Sequence, residues 1–573
     1  MRKLFSTASL FFALAITTVA NAQISHGGEP LFNNNSAKVT WNTYYLPTID
    51  NEKYLEEDLN SVNGGSPMRV SVGQQKELDI LKYAHLSEDA NGKHYLLAVQ
   101  SPEAKFVTLD FTSYDIPEGA TLYIYDQSGE FVLGSFNKDD VKEDGRFYTQ
   151  AIPGSTAYIE YNVPADKEPG TLIIGNVGHG YKDIFQMISD TYSDAIEAAK
   201  GPHGTAEGSC HINVACSAAD DWRDQVRSVV AIEIRANTNG GQLSFMCSGA
   251  LINNTNQDRT PYVLSAFHCQ DEEAMLGDLQ QRYPNLVLNG LDFVFYFLYQ
   301  TSTCSATVGS SNKSVTGAQM LAKYSYNGGS DFLLMRISNA IPDTYKPYYA
   351  GWDRNNVATA TPGACIHHPG GDFKKISIPK TVKRMSGSYN KFWEVAWYTG
   401  NSNKGVTEQG SSGSPLFNAD KRIIGQLYAG SSACNYMSGT DLYGRIYNSW
   451  TGGGTTTNSL SSWLDPANTG VMVLDGIDYT GSSAAINSVE DYNSAEMTVY
   501  PNPSNGNVHF DVNALGMANY KVFDLSGRCV KEGYTVLTAT SQALDLSSLD
   551  NGTYILNLYT SSNSYTSKII IKK

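Results

Sequence analysis

Beyond its first 22 residues the sequence has no long apolar run. Nothing there approaches the roughly 20 consecutive apolar residues that a membrane-crossing helix requires, so no membrane-embedded bundle is expected. Basic charge is also short. With 41 Lys and Arg against 57 Asp and Glu, the formal charge is −16, which offers no electrostatic footprint for nucleic acid or anionic lipid. Charged residues make up only 17% of the chain, whereas Gly, Ser, Thr, Asn and Tyr are abundant. That balance favours β-rich modules over helical bundles or disorder, and the expected class is all-β. Metal-binding patterns are thin as well: His367-His368 has no Glu-bearing helix around it, and neighbouring histidines on a strand face opposite ways. Neither a metal nor a cofactor is expected.

At 573 residues the chain is too long for one compact core and predicts three or more structural units. It opens with Arg2 and Lys3, an apolar stretch from Leu10 to Val19, and Ala20-Asn21-Ala22, which together read as a signal peptide over 1–22 cut before Gln23. Export makes the eight cysteines candidates for disulfides, and seven of them lie between residues 210 and 434. Cys210, Cys216, Cys247, Cys269, Cys304 and Cys434 could form three bridges, and spacing alone allows 15 pairings, leaving Cys365 and Cys529 over.

Residues 23–200 carry alternating runs such as Thr121-Leu122-Tyr123-Ile124-Tyr125 and Ala157-Tyr158-Ile159-Glu160-Tyr161, separated by Gly and Asp/Asn turns, and read as a β-sandwich. A polar helical stretch at 193–200 followed by Gly201-Pro202 marks a junction at Lys200-Gly201. Residues 201–480 hold five of the ten histidines and have the size of two small β-barrels. A Ser/Asn-rich linker at 481–496 precedes a third β-patterned unit, 497–573.

Hydrolysis by a serine nucleophile needs a base for the hydroxyl proton, a carboxylate to orient that base, and N–H groups aimed at the oxyanion. Tyr262 to Ala266 is an apolar strand that delivers His268 next to Cys269. Gly329-Ser330-Asp331 places an acid at the head of the apolar run Phe332 to Met335. Gly410-Ser411-Ser412-Gly413 is a small-residue turn able to present a hydroxyl together with converging N–H groups. Taken singly, each segment also fits a packed histidine, a strand-capping aspartate and a Ser/Gly loop. The order His, Asp, Ser within one domain is what joins them.

These segments resemble trypsin-fold peptidases through Cys247-Ser248-Gly249-Ala250-Leu251, Ala266 to Cys269, and Gly410 to Pro415. The chain is similar to the bacterial lysyl endopeptidase family over residues 205–477. Further matching segments are Gly208 to Asn213, Ala350 to Arg354, Ile366-His367-His368-Pro369, Gly405-Val406-Thr407-Glu408, and Tyr443-Gly444-Arg445 leading to Ser449-Trp450-Thr451-Gly452. The resemblance implies a chymotrypsin-like double β-barrel with Ser412 as nucleophile, His268 as base and then acid, and Asp331 as its orienting acid. It also implies an oxyanion hole from the N–H groups of Gly410 and Ser412, and disulfides Cys210–Cys434, Cys216–Cys304 and Cys247–Cys269. Ser411 departs from ordinary trypsins, where an aspartate before the nucleophile pairs with a freed N-terminal amine. That mode of zymogen activation is therefore absent.

A pocket for a cationic side chain needs a buried carboxylate. Val406 cannot supply it, and the resemblance points instead to Asp441, with Trp397 lining the site. Tyr428 stands where the family carries a histidine, which leaves arginine open beside lysine. Cleavage after Lys200 would make residues 23–200 a propeptide and the enzyme self-maturing. The final unit resembles the type A sorting domain of the type IX secretion route, through Tyr500-Pro501-Asn502-Pro503, Asp524 to Arg528, Gly552-Thr553-Tyr554 and Lys572-Lys573. That implies a small Ig-like β-sandwich, the secretion machinery as a partner, and a secreted or cell-surface destination reached through the periplasm. The expected function is a secreted serine endopeptidase acting on proteins and peptides after lysine. A non-catalytic adhesin on a protease fold is the alternative from another class.

Overall fold

The computed structural model describes residues 29–32, 40–60, 67–142, 145–185, 210–306, 311–357, 362–399, 404–480, 497–511, 516–524, 529–537, 542–559 and 564–573. The signal peptide, the 193–200 helix, the Lys200-Gly201 junction and the 481–496 linker expected from the sequence lie outside those residues. Two compact units emerge, Met1–Ala484 and Ala485–Lys573.

Alternating side chains build the start of the first unit. Strand Thr121–Tyr125 buries Leu122 and Ile124, and strand Thr156–Pro164 buries Ala157, Ile159, Tyr161 and Val163, so the period-2 pattern turns one face of a sheet inward. These strands belong to a six-stranded sheet ordered Asn42–Tyr45, Gly92–Gln100, Thr156–Pro164, Thr121–Tyr125, Val132–Phe136, with His85–Glu88 paired to Gly92–Gln100. Across a shared apolar core lies a second layer of Met68–Asp79, Thr171–Gly180, Phe106–Asp115 and Phe147–Tyr148.

That second layer does not end at the sandwich. Strand Met68–Asp79 pairs antiparallel with strand Gly241–Leu251, placing Val72 opposite Leu243 and Met68 opposite Met246, and the sheet runs on into the following domain as one twelve-stranded sheet. Buried charges cross the same seam. The Arg235 guanidinium donates to Glu233 at 2.8 Å, Asp110 at 2.7 Å and the Thr149 carbonyl at 2.6 Å. Asp292 accepts from Lys142 and Arg146, each at 2.9 Å. Burial raises the Asp292 pKa, but these two cations outweigh it and bring the group down to about 2.

The first barrel consists of Val229–Thr238, Gly241–Leu251, Tyr262–Ala266, Leu288–Tyr296, Ser314–Thr316, Ala318–Tyr324 and Phe332–Ile337 around Ile232, Ile234, Val263, Phe293, Phe295, Leu333 and Met335. The second runs Ile212–Asn213, Lys375–Ser377, Pro362–His367, Pro415–Asn418, Ile423–Gly430, Thr440–Arg445, Phe392–Trp397, Pro379–Arg384, with Trp393, Val395, Leu416, Leu427 and Tyr443 inside. Ala250, Leu264, Leu334, Ala364, Ile366 and Phe417 share a further core that presses the barrels together. This is the chymotrypsin-like double barrel. Cys210–Cys434, Cys216–Cys304 and Cys247–Cys269 are bonded, while Cys365 is a buried free thiol with its pKa pushed up to about 12 by burial.

The second unit, by itself, is a small sandwich. Three strands, Thr498–Tyr500, Asn507–Asp511 and Gln542–Asp545, and four, Cys529–Leu537, Gly516–Asp524, Gly552–Tyr559 and Ser564–Ile571, enclose Val508, Phe510, Val522, Leu556, Leu558 and Ile569. Among the described residues no helix is long and apolar enough to cross a membrane.

Candidate active site

His268 and Asp331 come from neighbouring strands of the first barrel. Tyr262–Ala266 pairs with Phe332–Ile337, setting Ala266 opposite Phe332, so the residues just past one strand and just before the other meet. His268 rides a 3-10 turn, Phe267–Gln270, that the Cys247–Cys269 bridge ties back to the barrel. Asp331 adopts φ of 59°, a left-handed conformation that aspartate tolerates better than most residues. It is held there because its carbonyl accepts Phe267 N–H at 2.9 Å and its carboxylate accepts His268 N–H at 3.1 Å.

The side chains continue the chain of bonds. His268 Nδ1 lies 2.7 Å from Asp331 Oδ2, and Nε2 lies 2.8 Å from Ser412 Oγ. A buried carboxylate beside Nδ1 selects the tautomer with its proton there, which leaves Nε2 to accept from the serine hydroxyl. Burial raises the Asp331 pKa, and the charge and hydrogen bonds of His268 pull it back.

Ser412 enters from the second barrel on the turn before strand Pro415–Asn418. Two glycines make that turn possible. Gly410 and Gly413 have φ of 85° and 82°, and a Cβ on Gly413 would stand 2.2 Å from Ser265 Oγ and 2.5 Å from the Ser248 carbonyl. Ser248 pins the turn from the first barrel: its N–H donates to the Ser412 carbonyl at 2.8 Å and its hydroxyl to the Gly410 carbonyl at 2.9 Å. Among the described residues the N–H groups of Gly410 and Ser412 have no acceptor. They are free to serve an incoming oxyanion.

Asp441, on strand Thr440–Arg445, is fully buried. Its Oδ2 accepts from Trp397 Nε1 and Thr407 Oγ1, each at 2.6 Å, and from the Ser432 hydroxyl, while Oδ1 accepts Ser432 N–H at 3.1 Å. Burial raises its pKa, and the Ser432, Thr407 and Trp397 bonds draw it down in part. Gly430 makes room for the carboxylate, since a Cβ there would fall 1.8 Å from Oδ1. Trp397 therefore touches Asp441 directly. Tyr428 stands beside His268, its ring 6.1 Å from that imidazole and 5.2 Å and 5.0 Å from Tyr326 and Phe392. Thr407 and Ser432 were not among the sequence candidates. A short hydroxyl side chain carries no mark of its own, and Thr407 could have been singled out only as the lone hydroxyl in Gly405-Val406-Thr407-Glu408.

His367 and His368 are both fully buried. The one His/Cys/Asp/Glu grouping of metal-binding size among the described residues, Cys210, His211 and Cys434, has both its sulfurs in a disulfide.

The family model for the lysyl endopeptidase C-terminal domain matches residues 204–444, and that for the secretion system C-terminal sorting domain matches residues 498–572. The chain is 26% identical over 393 residues to the lysyl endopeptidase of Pseudomonas aeruginosa, covering 65% of this chain and 76% of that protein. Solved structures with some likeness include an active-form protease from M. tuberculosis, 14% identical with a TM-score of 0.25 over 41% of this chain and 83% of that one. A Glu endopeptidase is 19% identical with a TM-score of 0.24, covering 38% and 85%. The sorting domain marks the protein for type IX export, to be secreted or held at the cell surface. Residues 204–444 are thus similar to the lysyl endopeptidase C-terminal domain, and residues 498–572 form a type IX sorting domain.

Proposed function

We propose that the protein is a serine endopeptidase that cleaves after lysine, with Ser412, His268 and Asp331 as its triad. The observation that carries this reading is the unbroken line from Asp331 Oδ2 through the imidazole to Ser412 Oγ, with contacts of 2.7 Å and 2.8 Å. Ser412 Oγ attacks the scissile carbonyl while Nε2 takes its proton. Asp331 stabilises the imidazolium, which then gives the proton to the leaving amine, and water releases the acyl group by the same steps. The Gly410 and Ser412 N–H groups receive the oxyanion, each worth about 3 to 4 kcal/mol in comparable sites.

Lysine fits the pocket better than arginine for a geometric reason. Asp441 Oδ2 already takes three side-chain donors, so a planar guanidinium cannot claim both oxygens as a fork. A compact ammonium needs fewer positions and can donate to the Thr407 and Ser432 oxygens, whose own protons point at Asp441. Residues 23–200 act as a propeptide in this reading, removed by the enzyme's own cut at Lys200-Gly201. The strand pairing of Met68–Asp79 with the first barrel suits a segment that helps that barrel fold.

The test is cleavage of matched peptides differing only in lysine, arginine or leucine at the scissile position, with fluorophosphonate labelling of the same samples. Lysine-directed cleavage and labelling, both lost in Ser412→Ala, are expected. A wild-type protein that neither cleaves nor labels would leave the adhesin reading in its place, and residue 23 as the N-terminus of fully active enzyme would contradict the propeptide.

A further inference from the structure

Ser411 occupies the position where an aspartate would bind a freed N-terminal amine, so some other group must hold the turn that carries the oxyanion donors. His367, at the end of strand Pro362–His367, fills that place. Its Nδ1 lies 2.7 Å from Ser411 Oγ and its Nε2 lies 2.9 Å from Ser377 Oγ, with all three residues buried.

The proton positions follow from counting donors. Ser377 has one hydroxyl proton and gives it to the Val406 carbonyl at 2.8 Å, so toward His367 it accepts, and the imidazole carries its proton on Nε2. Nδ1 is then the bare nitrogen and accepts the Ser411 hydroxyl. Ser411 Oγ in turn accepts Glu408 N–H at 3.2 Å, while Ser411 N–H closes the turn onto the Glu408 carbonyl at 3.0 Å. Glu408 is tethered a second time, its carboxylate accepting from His211 Nε2 at 3.1 Å and from Cys434 N–H at 2.8 Å. Burial, with His211, His368 and Lys375 nearby, keeps the His367 imidazole neutral by holding its pKa well below the usual value.

We infer that His367 is a positioning residue for the oxyanion turn: through Ser411 it fixes the backbone of residues 408–412, so that Gly410 and Ser412 N–H point at the reacting carbonyl. Every group in this relay is a side chain or an internal peptide unit, so the turn is held without any new chain end. The inference rests on Ser412 being the nucleophile. It separates oxyanion binding from lysine binding, because none of the four bonds to Asp441 comes from His367, Ser377 or Ser411.

The experiment compares wild type, His367→Ala, His367→Asn and Ser411→Ala in mature enzyme, with active sites counted by burst titration so that misfolded protein does not enter kcat. Asn keeps an acceptor near the Nδ1 position and gives up the Ser377 bond. Two ligands are then measured: a peptide lysinal, whose hemiacetal needs the oxyanion hole, and a simple alkylamine, which needs only the pocket. In both Ala variants kcat per titrated site is expected to fall roughly 10- to 100-fold, with lysinal affinity falling alongside. Alkylamine affinity stays within about twofold of wild type, and Asn recovers part of the loss. If His367→Ala does not fold, Ser411→Ala and His367→Asn carry the comparison. Values of kcat per site within about threefold of wild type would overturn the inference, as would alkylamine affinity collapsing together with lysinal affinity. A wild-type enzyme with no burst would overturn the serine-protease reading and this inference with it.

Discussion

Replacing Asp441 with asparagine keeps the shape of the pocket floor and removes its charge. An ammonium bound there loses the carboxylate at the pocket floor, and a buried charge stripped of its partner costs about 3 to 5 kcal/mol. At about 1.4 kcal/mol per factor of ten, kcat/KM for a lysine peptide should fall roughly 140- to 3700-fold. A leucine peptide places no charge in the pocket and should be cleaved about as before. Stability should move the other way. Burial raises the carboxyl's folded pKa above its unfolded value, so the stability it contributes is fully present below the unfolded pKa and is lost as pH rises through the folded one. At neutral pH the ionised form is a cost, and Asp441→Asn should leave Tm unchanged or higher. In the wild type, kcat/KM for lysine should decline on acidification through a pKa above the ordinary aspartate range, and the leucine peptide should not share that limb. The assay is steady-state cleavage of the two peptides across pH 4 to 8 (roughly the span between the usual carboxylate and histidine ranges), paired with thermal unfolding. Lysine cleavage retained within about threefold in Asp441→Asn would refute the assignment of the pocket acid.

Three further outcomes are expected. Arg235→Ala, made in a Ser412→Ala full-length chain to prevent self-cutting, leaves the buried Glu233 and the partly exposed Asp110 without their cation and should cost about 3 to 5 kcal/mol in denaturant unfolding; a loss below about 1 kcal/mol would mean the seam is solvated. Gly413→Ala forces a Cβ against Ser265 and Ser248 at a left-handed φ, so cleavage per folded molecule should drop by at least about tenfold while the Cys247–Cys269 bridge still forms, as checked by thiol counting. Removing residues 497–573 should leave the protein in the periplasm, read by cell fractionation; unimpaired appearance outside the cell would show that this unit is not the export address.

The hydrogen-bonded trio His268, Asp331 and Ser412 was legible as a candidate because each member sits where strand patterning changes. His268 follows the apolar run 262–266, Asp331 precedes Phe332–Ile337, and Ser412 lies in a Gly-bounded turn, so short local segments carried the signal. Trp397 and Asp441 were named as pocket candidates through matching segments, and the structure joins them by a direct hydrogen bond. Tyr428 was grouped with them, yet its ring faces His268, Tyr326 and Phe392. A residue's direction within a bulged strand depends on the local register, which shifts between Leu427 and Ala429.

By itself the sequence determined the β-rich class, the barrel strands, the sorting unit and the candidate residues His268, Asp331 and Ser412 that the fold brings together. These rest on period-2 alternation, Gly turns and short motifs, all written within a few residues of one another. Only the tertiary structure decided that Met68–Asp79 extends the first barrel's sheet, that Arg235 reaches Asp110, that Thr407 and Ser432 surround Asp441, and that His367 grips Ser411. Those contacts join groups far apart in the chain, and hydrogen bonds between such groups form only when the packed cores bring them together.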